Sequence, residues 1–311
     1  MNPDTRVNGV DLLQSMQQRA NEIIVGKQQQ LKLATACLIA GGHLLIDDVP
    51  GMGKTTLAHT LARLFGLHFS RVQFTSDLLP ADILGVSVFE GTDSGFVFHP
   101  GPVFSQVVLA DEVNRASPKT QSALLEAMEE GQVTIDGVTR ALPAPFFVIA
   151  TQNPGEQIGT FPLPESQLDR FMMRLELGYP AADAELELLA GRSRRTLLEE
   201  LSAVGTPEQL VAIQQAVGGI KTSDALLRYI LELIRATRAS ADLRDGLSPR
   251  AGLALKRAAQ AWAYMDARDY VLPEDVQAVF AAVVAHRLRT ADRRILSAEA
   301  VLGIVEHVAV P

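Results

Sequence analysis

Apolar residues in the first part of the chain come in short unbroken runs. Leu44-Leu45-Ile46, Val107-Val108-Leu109-Ala110 and Phe147-Val148-Ile149-Ala150 are each bounded by polar residues. Runs of this length suit strands buried on both faces. The pattern predicts strands over 43–48, 68–74, 106–111, 145–151 and 171–177, with helices near 27–40, 54–65, 118–130 and 165–169. Such alternation predicts a five-stranded parallel sheet sandwiched by helices, an α/β class. Two stretches interrupt it. Residues 86–98 alternate on both sides of a Gly/Asp turn, and residues 132–142 do so around Asp136-Gly137, so both read as hairpins.

Beyond residue 180 the pattern becomes helical only. Leu226, Leu227, Ile230, Leu233 and Ile234 recur at helical spacing. Thr206-Pro207-Glu208-Gln209, Ser248-Pro249 and Pro273-Glu274-Asp275 read as helix starts. Gly178-Tyr179-Pro180 marks the expected boundary. The expected organisation is an N-terminal helix or tail over 1–22, an α/β core over 23–178 and an all-α domain over 179–311.

Composition narrows the function classes. At 311 residues and 47% hydrophobic, the chain can build one large or two modest cores. A net charge of −8 disfavours general nucleic-acid affinity, which needs a basic surface to neutralise phosphates. The single cysteine, Cys37, cannot form an internal disulfide and fits a reducing compartment. It lies among apolar neighbours and reads as a small buried hydrophobe. Residues 1–8 lack the charged start and apolar stretch of a signal peptide, and no run approaches the ~20 apolar residues of a membrane span. A soluble cytoplasmic protein without membrane insertion is expected.

The chemistry begins at Asp47-Asp48-Val49-Pro50-Gly51-Met52-Gly53-Lys54-Thr55-Thr56, between a strand and a helix. This is the setting of a phosphate-binding loop, or Walker A motif. Pro50, Gly51, Met52, Gly53, Lys54, Thr55 and Thr56 are the candidate nucleotide-binding residues. The glycines let backbone N–H groups turn inward toward an anion, and the helix N-terminus adds positive potential. Lys54 would reach the β- and γ-phosphates, and the Thr55 hydroxyl would help hold Mg²⁺. The generic pattern has glycine at position 48, where this chain has Asp48; an ordinary strand-to-helix turn is the alternative reading.

The run 107–110 ends in Asp111-Glu112, a Walker B arrangement at the end of a parallel strand where ligands bind. Asp111 is the second candidate Mg²⁺ residue, and Glu112 the candidate for polarising a water. A solvated acidic turn is the alternative. The run 147–150 leads into Gln152-Asn153-Pro154, where Asn153 can orient a water or simply cap a turn.

Together these blocks resemble a known family. The stretch from Asp111-Glu112-Val113-Asn114-Arg115 through Glu129-Glu130, Ala150-Thr151-Gln152-Asn153-Pro154, and Phe161-Pro162-Leu163-Pro164-Glu165 through Arg170-Phe171 is similar to the signature of the MoxR family of AAA+ ATPases, in the helix-2-insert branch. Asp48-Val49-Pro50-Gly51 resembles that family's version of the phosphate loop. The resemblance covers the chain from about Ile23 onward. Ile158 departs from it where an acidic residue is expected, and Phe161 stands in place of Tyr.

The resemblance implies a Mg²⁺-dependent ATPase, binding ATP and ADP, that works as a homo-oligomeric ring, usually a hexamer. It implies a chaperone-like role in remodelling or maturing protein complexes, including cofactor or metal insertion, with a von Willebrand A-domain partner. It makes Arg170 the candidate arginine that completes a neighbouring subunit's site, against an intrachain pair with Asp169 or Glu165. It makes Arg250 the second sensor of a helical lid, against a plain surface arginine. Val25 and Gly26 fall where related ATPases pack adenine, against ordinary helix-start packing. The 86–98 hairpin corresponds to the helix-2 insert; it carries Phe89, Phe96, Phe98, Glu90 and Asp93 with no Lys or Arg, and the second hairpin has only Arg140. That composition favours a protein client over nucleic acid; packing of the phenylalanines under the hairpin is the alternative. A metal-chelatase-type ATPase subunit and a DNA-acting motor of the helicase branch are the competing functions.

Overall fold

The computed structural model describes residues 3–91, 95–153, 159–290, 292, 296 and 298–310. Its strands in chain order are β1 (Leu44–Asp47), β2 (Phe69–Gln73), β3 (Gly85–Phe89), β4 (Phe96–Pro100), β5 (Val107–Asp111), β6 (Gln132–Ile135), β7 (Val138–Ala141), β8 (Phe147–Gln152), β9 (Met173–Leu175), β10 (Leu243–Asp245) and β11 (Arg289–Thr290). The main sheet has five strands in the order β2-β5-β8-β1-β9. Strand β5 runs parallel to both β2 and β8, with Val107 opposite Phe69 and Phe147. Every residue of β5 is buried, as are Phe147 to Thr151 of β8. That burial explains why these strands read as continuous apolar runs rather than as alternation. Asp47, Asp111 and Gln152 end β1, β5 and β8. The polar residues that follow the apolar runs therefore gather at the C-terminal edge of the sheet, where open α/β sheets hold ligands.

The two interruptions are antiparallel hairpins. Strand β3 pairs β4 with Phe89 opposite Phe96, and β6 pairs β7 with Ile135 opposite Val138. Asp136 (φ 53°) and Gly137 (φ 76°) turn the second, both in the left-handed region that a two-residue hairpin turn requires. The tip of the first hairpin, including Asp93, lies outside the described residues.

By internal packing the chain forms two compact units. One comprises Met1–Leu44, Phe171–Leu175 and Glu208–Pro311; the other comprises Leu45–Arg170 and Glu176–Pro207. In the first unit the helices Pro249–Met265 and Pro273–Val284 bury Leu255, Trp262, Val279 and Phe280. The Ser248 hydroxyl caps the earlier helix by accepting from Ala251 N at 3.1 Å, and the Asp275 carboxylate accepts from Leu272 N at 2.7 Å at the start of the later one. The same Asp275 holds both arms of Arg268 at 2.5 and 2.6 Å. In helix Asp224–Ala239 the residues Leu226, Ile230, Leu233 and Ile234 face inward, whereas Leu227 is exposed. The expectation of helix alone beyond residue 180 needs one correction: β10 and β11 form a short antiparallel pair. At two and three residues, such strands carry too little periodicity to register in a sequence pattern.

Candidate functional site: a phosphate loop facing two acids

Gly51 (φ 87°) and Gly53 (φ 85°) lie in the left-handed region, and Gly53 caps the helix Lys54–Leu64. A Cβ at either would meet no atom within 4 Å, so backbone conformation, not space, requires glycine there. Position 48 carries no such requirement, because Asp48 is not among the residues with positive φ. Its carboxylate instead straps the loop down. Oδ1 accepts from Val49 N at 2.9 Å and Oδ2 from Gly178 N at 2.6 Å. The Asp48 carbonyl accepts from Lys54 Nζ at 2.7 Å. The residue that departs from the generic loop therefore anchors its start.

Beside the loop opens a cavity of about 360 Å³ lined by Pro50, Gly51, Gly53, Lys54, Thr55, Thr56, Arg71, Gln73, Asp111 and Glu112. The helix N-terminus and the buried Lys54 line it together with the two acids. Asp111 Oδ1 accepts from the Thr151 hydroxyl at 2.6 Å, and Oδ2 accepts from Arg71 Nε and Nη2 at 3.1 and 2.6 Å. Glu112 takes a left-handed conformation, φ 55°. A non-glycine residue costs about 1 kcal/mol or more there, and such outliers concentrate at working sites. Its backbone N–H donates to the Thr151 hydroxyl at 2.9 Å, which fixes the turn. Its Oε2 accepts from Gln73 Nε2 at 3.0 Å and from Arg115 Nη1 at 2.8 Å.

Among the candidates from the sequence, the loop residues except Met52 line the cavity together with Asp111 and Glu112. Asn153 follows β8 and is buried off the cavity wall. Arg170 Nη2 pairs with Glu129 Oε2 at 2.9 Å, a partner other than the neighbouring Asp169 or Glu165. Val25 is half-buried and Gly26 exposed with φ 71°, and Arg250 is exposed in the first turn of its helix; all three belong to the first unit. Ile158 and Pro154 lie outside the described residues.

Arg71, Gln73 and Thr151 were not singled out by the motifs. The signal for the first two is weak but present. They flank the buried Val72 at i and i+2 on an edge strand, so both point to the face that β5 shares.

The donor set fits Mg²⁺. Thr55 and Asp111 offer hard oxygens, and among the described residues no cluster of three or more His, Cys, Asp or Glu could hold a metal alone. A cation that takes one or two protein oxygens and completes its shell with phosphate oxygens matches that supply.

Fold, loop and acids define a P-loop ATPase of the AAA+ class. Residues 43–173 match the model of the ATPase family associated with various cellular activities, and residues 235–302 match the AAA lid domain. The chain is 46% identical over 277 residues to the uncharacterised protein YeaC of Bacillus subtilis, covering 89% of this chain and 87% of that one. It is 40% identical over 275 residues to the chaperone MoxR1 of Mycobacterium tuberculosis, covering 86% and 72%. A crystal structure from Cytophaga hutchinsonii, assigned as an ATPase, superposes with a TM-score of 0.91 at 36% identity, covering 99% of this chain and 97% of the other. The chain belongs to the MoxR family of AAA+ ATPases, and its activity is ATP hydrolysis.

Proposed function

We propose that this ATPase works as a ring, six-membered by family analogy, and spends ATP on remodelling or maturing protein complexes. The cavity that brings Lys54 and Thr55 opposite Asp111 and Glu112 carries this reading. The loop amides and Lys54 bind the β- and γ-phosphates. Thr55 and Asp111 hold Mg²⁺, which neutralises charge on the phosphate oxygens. Glu112 aims a water at the γ-phosphorus and takes its proton, with Asn153 orienting that water. Arg170 serves the neighbouring subunit's site, stabilising the charge that develops on the transferred group. Arg250 contacts phosphate from the lid, and Val25 and Gly26 pack the adenine. In this division of labour residues 23–178 are the ATPase core and 179–311 the lid, with 1–22 as an N-terminal helix.

A protein client is favoured over nucleic acid by the chemistry of the hairpins. Phe89 and Phe96 are 56% and 76% exposed, with ring centroids 5.5 Å apart. The one basic residue of the second hairpin, Arg140, lies 3.9 Å over the Phe98 ring and donates to Ile135 O and Val138 O. It is engaged internally instead of standing ready for phosphates. By the family resemblance of the sequence, the proposed client includes complexes that receive a cofactor or metal, and the proposed partner is a von Willebrand A-domain protein. A cytoplasmic location is part of this proposal.

Action in trans has a direct test. Arg170→Ala and Glu112→Gln proteins should each lose phosphate release. Mixed, they should recover part of it, because a hybrid site pairs an intact Glu112 with a neighbour's intact Arg170. No recovery at any ratio would contradict the ring mechanism.

A further inference from the structure

The Arg71–Asp111 pair has no place in the catalytic scheme above, yet it sits on the atom that scheme needs. Asp111 has two carboxylate oxygens, each with two lone pairs. Thr151 takes one on Oδ1, and the Arg71 guanidinium takes both on Oδ2 through Nε and Nη2. Oδ2 is therefore fully engaged by a cation that belongs to the protein, while Oδ1 keeps one lone pair. Arg71 lines the same cavity as Lys54 and Thr55. Its side chain is 50% exposed, whereas that of Asp111 is 12% exposed, so the arginine is the partner open to solvent. A purely structural tie between the strands would add little. Strands β2 and β5 are already joined by their backbone ladder at this point, with Gln73 opposite Asp111. A half-exposed ion pair contributes only modestly to stability.

We propose that Arg71 is a positioning residue for the divalent cation. It holds Asp111 before Mg²⁺ arrives and must release Oδ2 for that oxygen to serve the cation. Competition between the guanidinium and Mg²⁺ for one oxygen then sets the Mg²⁺ concentration at which nucleotide binding tightens. This rests on the reading of Asp111 as a Mg²⁺ residue.

The test is an equilibrium titration of a fluorescent ADP analogue onto the full-length protein, in EDTA and across a Mg²⁺ series, with no turnover involved. Arg71→Gln should lower the Mg²⁺ midpoint by roughly three- to ten-fold and leave affinity in EDTA unchanged, as expected for removal of a bidentate, partly exposed pair. Arg71→Lys, which keeps the charge but not the fork, should fall between that variant and the unmodified chain. It also carries the test if Arg71→Gln does not fold. A midpoint that stays put or rises in the variants would overturn the proposal. So would an equal loss of affinity in EDTA, which would mean that Arg71 grips the nucleotide itself. Asp111→Asn separates this from the underlying reading. If Mg²⁺ tightens binding to the unmodified chain but not to Asp111→Asn, the reading of Asp111 stands, and only the midpoint of the Arg71 variants decides the inference. If Mg²⁺ has no effect on the unmodified chain, both fall together.

Discussion

The buried ionisable groups of the phosphate-loop unit contrast with two in the other unit, which also buries Asp275 against Arg268 without a cavity beside it among the described residues. In the unit that holds the phosphate loop, Lys54, Asp111 and Asp48 are buried, each with named hydrogen-bond partners, and the first two open onto a cavity. In the other unit, Cys37 and His286 are fully buried and held neutral. Desolvation pushes the Cys37 thiol well above the ordinary range, and its Sγ donates to His43 O at 3.4 Å. Burial, with Arg287 close by, holds the His286 ring well below its usual pKa; its Nε2 meets Phe171 O at 3.0 Å. Both cases involve burial, but only one makes a site. A buried group that keeps its charge needs partners and an opening, and chemistry follows from those. A buried group that has lost its charge is part of the core.

That contrast can be broken experimentally. Lys54→Met removes the charge on the cavity wall and should weaken ATP binding by roughly ten- to a hundred-fold, the scale of a lost charged hydrogen bond; equilibrium binding of a labelled nucleotide reads it. The fold should persist, since among the described residues the ammonium bonds to the Asp48 and Gln152 carbonyls alone. Asp48→Ala leaves Val49 N and Gly178 N without their acceptor and should lower unfolding stability by about 1–3 kcal/mol. A denaturant titration at neutral pH measures it, and an unchanged midpoint would mean that the strap does not matter. His286 predicts a smaller, pH-dependent effect. Once unfolded, this histidine takes a proton below about pH 6.5 while the native ring stays neutral. The unfolded state then binds more protons, so stability is complete above that pH and declines as pH falls, by at most about 1.4 kcal/mol per pH unit from this group. His286→Gln should flatten this part of the curve between pH 7 and 5.

Much of this architecture was legible in the chain because its signals are local. The runs 107–110 and 147–150 are buried on both faces and could hardly be anything but central strands. Asp136-Gly137 specifies its turn by itself. Gly51, Gly53, Lys54 and Thr55 announce the loop within a few residues. What was not legible depends on tertiary pairing. Asp48 departs from the generic loop and matches the family's version of it, but only the fold brings Gly178 N to its carboxylate. Arg170 meets Glu129, which no sequence spacing pairs with it. Arg71 and Gln73 lie in the strand predicted over 68–74, whose pattern alone names no partner for them, and only the register of β2 against β5 brings them to the two acids. Leu227 shows the converse: helical spacing placed it on an apolar face, but it is 40% exposed.

The central claim is that the cavity between the phosphate loop and Asp111-Glu112 is where ATP is hydrolysed. The most direct measurement follows phosphate release and nucleotide binding in parallel for Glu112→Gln, a change that removes the base but keeps the size of the side chain and one acceptor oxygen. The account predicts that ATP binding is retained while phosphate release falls by roughly 10²- to 10⁴-fold, the scale of a lost general base. Phosphate release near the unmodified rate, with binding intact, would contradict it.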